Sequence, residues 1–215
     1  MSPGSTHTIA SCESVSDLLQ QLLEGSSDTH LIVCATKAEF LLQLTAAIRS
    51  QCADADTATS HILLTRTIGL LARSSKIQLA FCPTLESLRA YLAVFNPAGG
   101  VTTNNETRSR DQGLLAVLNM MALHVATSEF SAQGLSRTLA SAVEAGFRAE
   151  MHLRLYECLN ALDHSSADSG RKLWEMNVPL LNGSVKMRGD DSTWGKQGIT
   201  VKRVAERWFE FDQDY

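Results

Sequence analysis

Nowhere in this chain does a glycine-rich loop follow an apolar strand, so backbone amides have no open turn through which to cradle a phosphate. No apolar run approaches the ~20 residues that a membrane-spanning helix needs. Met1 to Asp17 is rich in Ser and Thr and has neither the basic stretch nor the apolar core of a secretory signal, so a nuclear or cytoplasmic protein is expected. Positive charge is not in excess: the formal net charge is -4, which leaves room for a local nucleic-acid patch but not for an overall basic binder. Closely spaced cysteines are missing as well. Cys12, Cys34, Cys52, Cys82 and Cys158 are scattered without zinc-site spacing, and Cys34, Cys82 and Cys158, in or at the ends of apolar runs, read as reduced core thiols.

The remaining chemistry-bearing residues do not assemble into a motif. His124, His152 and His164 are too far apart in sequence to suggest a metal site, and His7, His30 and His61 lie at segment starts. Ser131 and Ser136 lack the glycine-flanked elbow that exposes a nucleophile. Asp163 and Asp168 flank a Ser-rich loop and read as turn formers. No catalytic residue, no metal and no cofactor is expected.

What is present is an alternation of short apolar runs and amphipathic stretches. With 215 residues, 44% of them hydrophobic and 20% charged, the chain can bury one substantial core. Residues 15 to 24 have apolar positions at 15, 18, 19, 22 and 23, a helical spacing with Ser14 or Ser16 as cap. Leu31 to Cys34 reads as a buried strand, followed by a helix from Lys37 to Arg49. Residues 51 to 60 form a loop and Ile62 to Ala72 has a helix-like pattern. Lys76 to Cys82 is an alternating strand, and Pro83-Thr84 opens a helix with apolar residues at 85, 88, 92 and 95. After a loop or insert from Asn96 to Gln112 come a strand at Leu114 to Leu118, a helix at Ser131 to Phe147 and a strand at Met151 to Cys158. The order predicts an α/β protein with a mainly parallel sheet flanked by helices. Leu173 to Leu181 and Ile199 to Phe211 read as two strands forming a C-terminal antiparallel hairpin at the sheet edge.

The strand Leu114 to Leu118, the loop Ser128-Glu129-Phe130 and the helix opening Ser131-Ala132-Gln133-Gly134-Leu135-Ser136-Arg137 resemble a segment of the eukaryotic strand-exchange recombinases and their paralogues, which have a RecA-like fold. The resemblance implies a single RecA-like domain over 29–215, preceded by an N-terminal segment, 1–28, with a short helix. It also exposes departures. The turn Ala35-Thr36-Lys37-Ala38-Glu39 has no glycine and places a carboxylate where phosphate would sit, and the strand that should end on a magnesium-organising acid ends on Asn119. An ATPase-deficient scaffold is therefore expected, as in Shu-type recombination mediators or the accessory subunits of the Elongator tRNA-modification complex.

The expected partner is a RecA-like paralogue in a hetero-oligomer, with single-stranded DNA as a weaker ligand. Lys186, Arg188, Trp194, Lys196, Lys202, Arg203 and Arg207 supply cations and a stacking ring on one hairpin, the composition of a sequence-tolerant single-strand binder. Trp208, Phe209 and Phe211 at the end of the last strand are candidates for a partner interface. These residues point to a non-catalytic subunit of a recombination or repair assembly. The alternatives are an Elongator-like accessory subunit and an α/β enzyme of unrecognised type.

Overall fold

The computed structural model describes residues 7–52, 61–97, 113–163, 169–182 and 198–212. Six strands form one sheet: β1 (Thr8–Ala10), β2 (Thr29–Val33), β3 (Ile77–Phe81), β4 (Leu114–Leu118), β5 (His152–Tyr156) and β8 (Glu210–Phe211). Their order is β3-β2-β4-β5-β1-β8, and every pairing is parallel. The central strands are buried on both faces, which is why they read as continuous apolar runs rather than alternating ones.

Helices cover both faces. On one, α1 (Val15–Glu24) and α2 (Lys37–Gln51) enclose Leu31, Val33, Ala116, Leu118 and Tyr156. On the other, α4 (Leu85–Val94), α6 (Ala132–Arg148) and α8 (Val201–Ala205) pack over Ile32, Leu115, Val117, Leu153 and Leu155. Three further helices are short: α3 (Ile68–Ser74) before β3, α5 (Met120–Val125) after β4, and α7 (Arg171–Glu175). The caps follow the sequence. Ser14, Thr36, Thr84 and Ser131 each accept a hydrogen bond from a first-turn N–H of the helix they open.

Gly134, in the first turn of α6, is required by its surroundings. A Cβ there would lie 2.1 Å from the carbonyl oxygen of Glu129, because the turn that enters α6 folds back onto the helix.

The tail differs from the expected hairpin. Leu173 to Leu181 begins as α7, with Leu173 and Trp174 buried, and is extended only at β6 (Asn177–Val178). The stretch Ile199 to Phe211 is not one strand. It is β7 (Ile199–Thr200), then α8, then β8. Val201, Val204 and Ala205 are buried at helical spacing behind the Thr200 cap, whose hydroxyl accepts from Arg203 N. This periodicity, satisfied by packing on α6, wins over the alternation of apolar and charged residues. β6 and β7 do pair antiparallel, Asn177 opposite Thr200 and Val178 opposite Ile199, but as a separate two-stranded sheet.

Two more differences concern the chain before β4. The helix expected over Ile62 to Ala72 is confined to α3 and preceded by turns. Residues ahead of 29 are not set apart from the rest: β1 lies inside the sheet between β5 and β8, and Val15, Leu18 and Leu22 of α1 belong to the core.

Candidate functional site

In an open parallel sheet, ligands sit beyond the carboxyl ends of the strands, at the point where successive connections run in opposite directions. Here that point lies between β2 and β4, since β2 leads outward to β3 and β4 leads the other way to β5. Cys34, Thr36 and Asn119 emerge there.

The side chains of Thr36 and Asn119 are both engaged in internal bonds. Thr36 and Glu39 form a capping box: the Glu39 carboxylate accepts from Thr36 N at 2.8 Å and from Thr36 Oγ1 at 2.7 Å, while Thr36 Oγ1 accepts from Glu39 N at 3.2 Å. These bonds hold the Glu39 carboxyl below the usual range. A carboxylate thus already stands at the N-terminus of α2, where the helix dipole favours an anion.

Asn119 turns the chain from β4 into α5 in the left-handed region, φ 59° and ψ 39°, which Asn tolerates better than most residues. Its Oδ1 accepts from Cys158 N at 3.0 Å, tying the end of β4 to the end of β5. The cap of α5 comes instead from Glu157, which is 1% exposed. Glu157 Oε1 accepts from Met121 N at 2.5 Å and Oε2 from Ala122 N at 3.4 Å. Burial pushes its pKa up to about 8, against the opposing effect of those N–H groups. Sequence reading missed Glu157. Its signal was a carboxylate directly after a buried strand, one strand over from Asn119.

The start of α6 is closed in the same way. Ala132 N donates to Pro179 O at 2.8 Å, Gln133 N to Leu180 O at 3.1 Å and Gly134 N to Ser131 Oγ at 3.0 Å. Ser131 Oγ in turn donates to Asn182 Oδ1. Ser131 is therefore the cap of α6 and is itself 1% exposed.

A second polar group lies between α4, α5 and α6. Arg89 Nη2 pairs with Glu129 Oε2 at 2.6 Å, and Thr138 Oγ1 accepts from Arg89 Nε at 3.1 Å and Nη2 at 2.9 Å. Thr138 Oγ1 donates to Gly134 O at 3.3 Å and lies 3.0 Å from His124 Nε2, while His124 Nδ1 lies 3.4 Å from Glu129 O. His124 is fully buried, and burial lowers its pKa to about 4, so it is neutral. The group binds helices to one another, with His124 and Thr138 buried and the Arg89–Glu129 pair partly exposed at its rim.

Of the residues expected to meet nucleic acid, Lys186, Arg188, Trp194 and Lys196 lie outside the described residues. Lys202 and Arg203 are exposed on α8 and Arg207 in the turn after it. Lys202 Nζ stands 4.9 Å from the Phe211 ring centroid, and Arg203 pairs with Glu206 at 3.2 Å. Among the aromatics expected at an interface, Phe209 is 4% exposed and belongs to the core, so it is not available to a partner. Phe211 is half-buried edge-on against Trp174, and Trp208 is exposed.

Apolar side chains are also exposed around α3. No residue of α3 is buried, Ile68 is 88% exposed and Leu71 64%. Ile62, Leu64 and Leu79 are exposed beside it in sequence, and β3 is an edge strand bonded only to β2 among the described residues. From 61 to 85 the charged residues are Arg66, Arg73 and Lys76, without one acid.

A family model described as SPAC22G7.03-like matches residues 8–211, from the first residue of β1 to the last of β8. No curated protein matches.

Proposed function

We infer that this chain, which belongs to the SPAC22G7.03-like family, is a non-catalytic RecA-like subunit of a DNA recombination or repair assembly. It acts by binding a partner chain and, more weakly, single-stranded DNA. The observation that carries the reading is the exposed apolar face of α3 and the β3 edge, with Ile68, Leu71 and Leu79 in solvent. Burying such residues against a partner contributes about 1.5–3 kcal/mol each. An open strand edge adds unpaired backbone groups that a second chain can use. The partner is a RecA-like paralogue, and the cations Arg66, Arg73 and Lys76 call for an acidic rim around its apolar contact.

The carboxyl edge of the sheet supports a scaffold role. The groups that would hold a phosphate or its metal are engaged by Glu39, Glu157 and Asn119. DNA contact falls to Lys202, Arg203 and Arg207 on and after α8, a small patch that gives weak, salt-dependent binding.

The test is co-purification with an endogenously tagged chain, followed by reconstitution with the recovered paralogue. Leu71→Asp with Leu79→Asp should abolish the complex and leave the isolated chain folded. Lys202→Glu with Arg203→Glu should weaken single-stranded DNA binding and flatten its salt dependence. A chain that stays monomeric with every RecA-like paralogue offered would sink the proposal, and recovery of tRNA-modification subunits would move the chain to that assembly.

A further inference from the structure

Cysteines far apart in sequence are brought together by the strand register. The last paired residues of β1 and β5 are Ala10 and Tyr156. Two residues further along each chain stand Cys12 and Cys158, on the same face as Ala10 and Tyr156 and in the same apolar cluster. The two chains remain side by side beyond them, because Leu159 N donates to Glu13 O at 3.1 Å. Neighbouring strands run ~4.8 Å apart, within the Cα separation of ~4.4–6.8 Å that a disulfide spans.

The two thiols are unlike. Cys158 is 1% exposed, whereas Cys12 is partly exposed at the turn that enters α1. Cys12 Sγ donates to Ser14 O at 3.1 Å. The neighbouring Cys158 side chain, helped by the backbone at the start of α1, lowers the Cys12 pKa, while Cys12 beside it and burial raise that of Cys158. The chain contains a contrast pair. Cys34 and Cys82 follow β2 and β3 directly, one residue past the partners Val33 and Phe81, but both are buried and burial raises both thiols.

We propose that Cys12 and Cys158 are a redox modification site, with Cys12 the attacking thiol and Cys158 the resolving one, whose oxidant is a low-molecular-weight disulfide of the glutathione type. The Cys12 thiolate attacks one sulfur of that disulfide, forming a mixed disulfide and releasing one small thiolate, which takes up a proton. Cys158 then gives up its proton and attacks Cys12 Sγ, forming the Cys12–Cys158 bond and expelling the second small thiol. The protein loses two electrons and two protons, and the small disulfide is reduced to two thiols. The product fastens the β1–α1 turn to the end of β5, at the carboxyl edge of the sheet. In a reducing compartment such a bond is transient, as a sensor requires.

The test is to equilibrate the full chain with glutathione buffers of graded oxidation, block the remaining thiols and map disulfides by mass spectrometry. The expected result is that Cys12 and Cys158 are lost together as a single Cys12–Cys158 crosslink, whatever happens at the partly exposed Cys52, with the buried Cys34 and Cys82 unmodified. Cys158→Ala should stop at a glutathione adduct on Cys12, and Cys12→Ser should leave Cys158 reduced. Cys12 remaining a thiol, or holding glutathione in the wild-type chain without passing to Cys158, would overturn the proposal. The wild-type map decides even where a variant fails to fold.

Discussion

Glu157 and His124 act on stability in opposite directions along the pH scale. The carboxyl of Glu157 is raised from 4.5 to about 8 in the folded chain, so its contribution is full below 4.5 and is lost as pH rises toward 8. The imidazole of His124 is lowered from 6.5 to about 4, so its contribution is present above 6.5 and is lost as pH falls toward 4. Each slope is about 1.4 kcal/mol per pH unit. From these two groups the stability is flat between pH 4.5 and 6.5, where the slopes cancel, and falls by about 2 kcal/mol between 6.5 and 8. Glu157→Gln should remove the fall and expose a rise from pH 4 to 6.5, measurable by urea denaturation across that range. A variant with the wild-type profile would show that Glu157 does not control it. At Gly134, alanine would ordinarily favour a helix by about 1 kcal/mol. Here its Cβ meets Glu129 O at 2.1 Å, so Gly134→Ala should lower the melting temperature by several degrees.

At the scale of elements, burial separates two short helices of similar sequence character. Val204 of α8 is 2% exposed against the core, so Val204→Asp should cost several kcal/mol and unfold much of the population at 25 °C. Leu71 of α3 is 64% exposed, and Leu71→Asp should change the stability of the isolated chain by less than about 0.5 kcal/mol. Denaturant midpoints of the two variants check the contrast. The sequence made α4 and α6 legible because a cap, Thr84 or Ser131, precedes a run of helical period. It made β2 and β4 legible because burial on both faces leaves unbroken apolar runs. It hid α8, since Val201 and Ala205 fit a strand of alternating residues as well as a helix, and packing on α6 decides. It hid β1, whose three residues are too few to show any period. The candidate site was half visible: Asn119 and the glycine-free turn could be read directly. The cap that Glu157 places on α5, and the pairing of Cys12 with Cys158, depend on strand register, which no local pattern encodes.

Across the whole molecule, the first and last strands complete the same edge. β8 pairs with β1, Glu210 N donating to His7 O and Asp212 N to Ile9 O, both at 2.9 Å. Ending the chain after residue 206 removes β8 and Phe209 and leaves β1 as the open edge. Such a truncation should aggregate at concentrations where the full chain stays dispersed, read by light scattering. The same order of strands sets a timetable during synthesis. β1 emerges first but has no partner until β5, at 152–156, has been made, an interval on the order of ten seconds on the ribosome. Ile9, wholly enclosed in the finished molecule, spends that interval in water. That exposure is a consequence of strand order itself, and it would persist however stable the finished chain became.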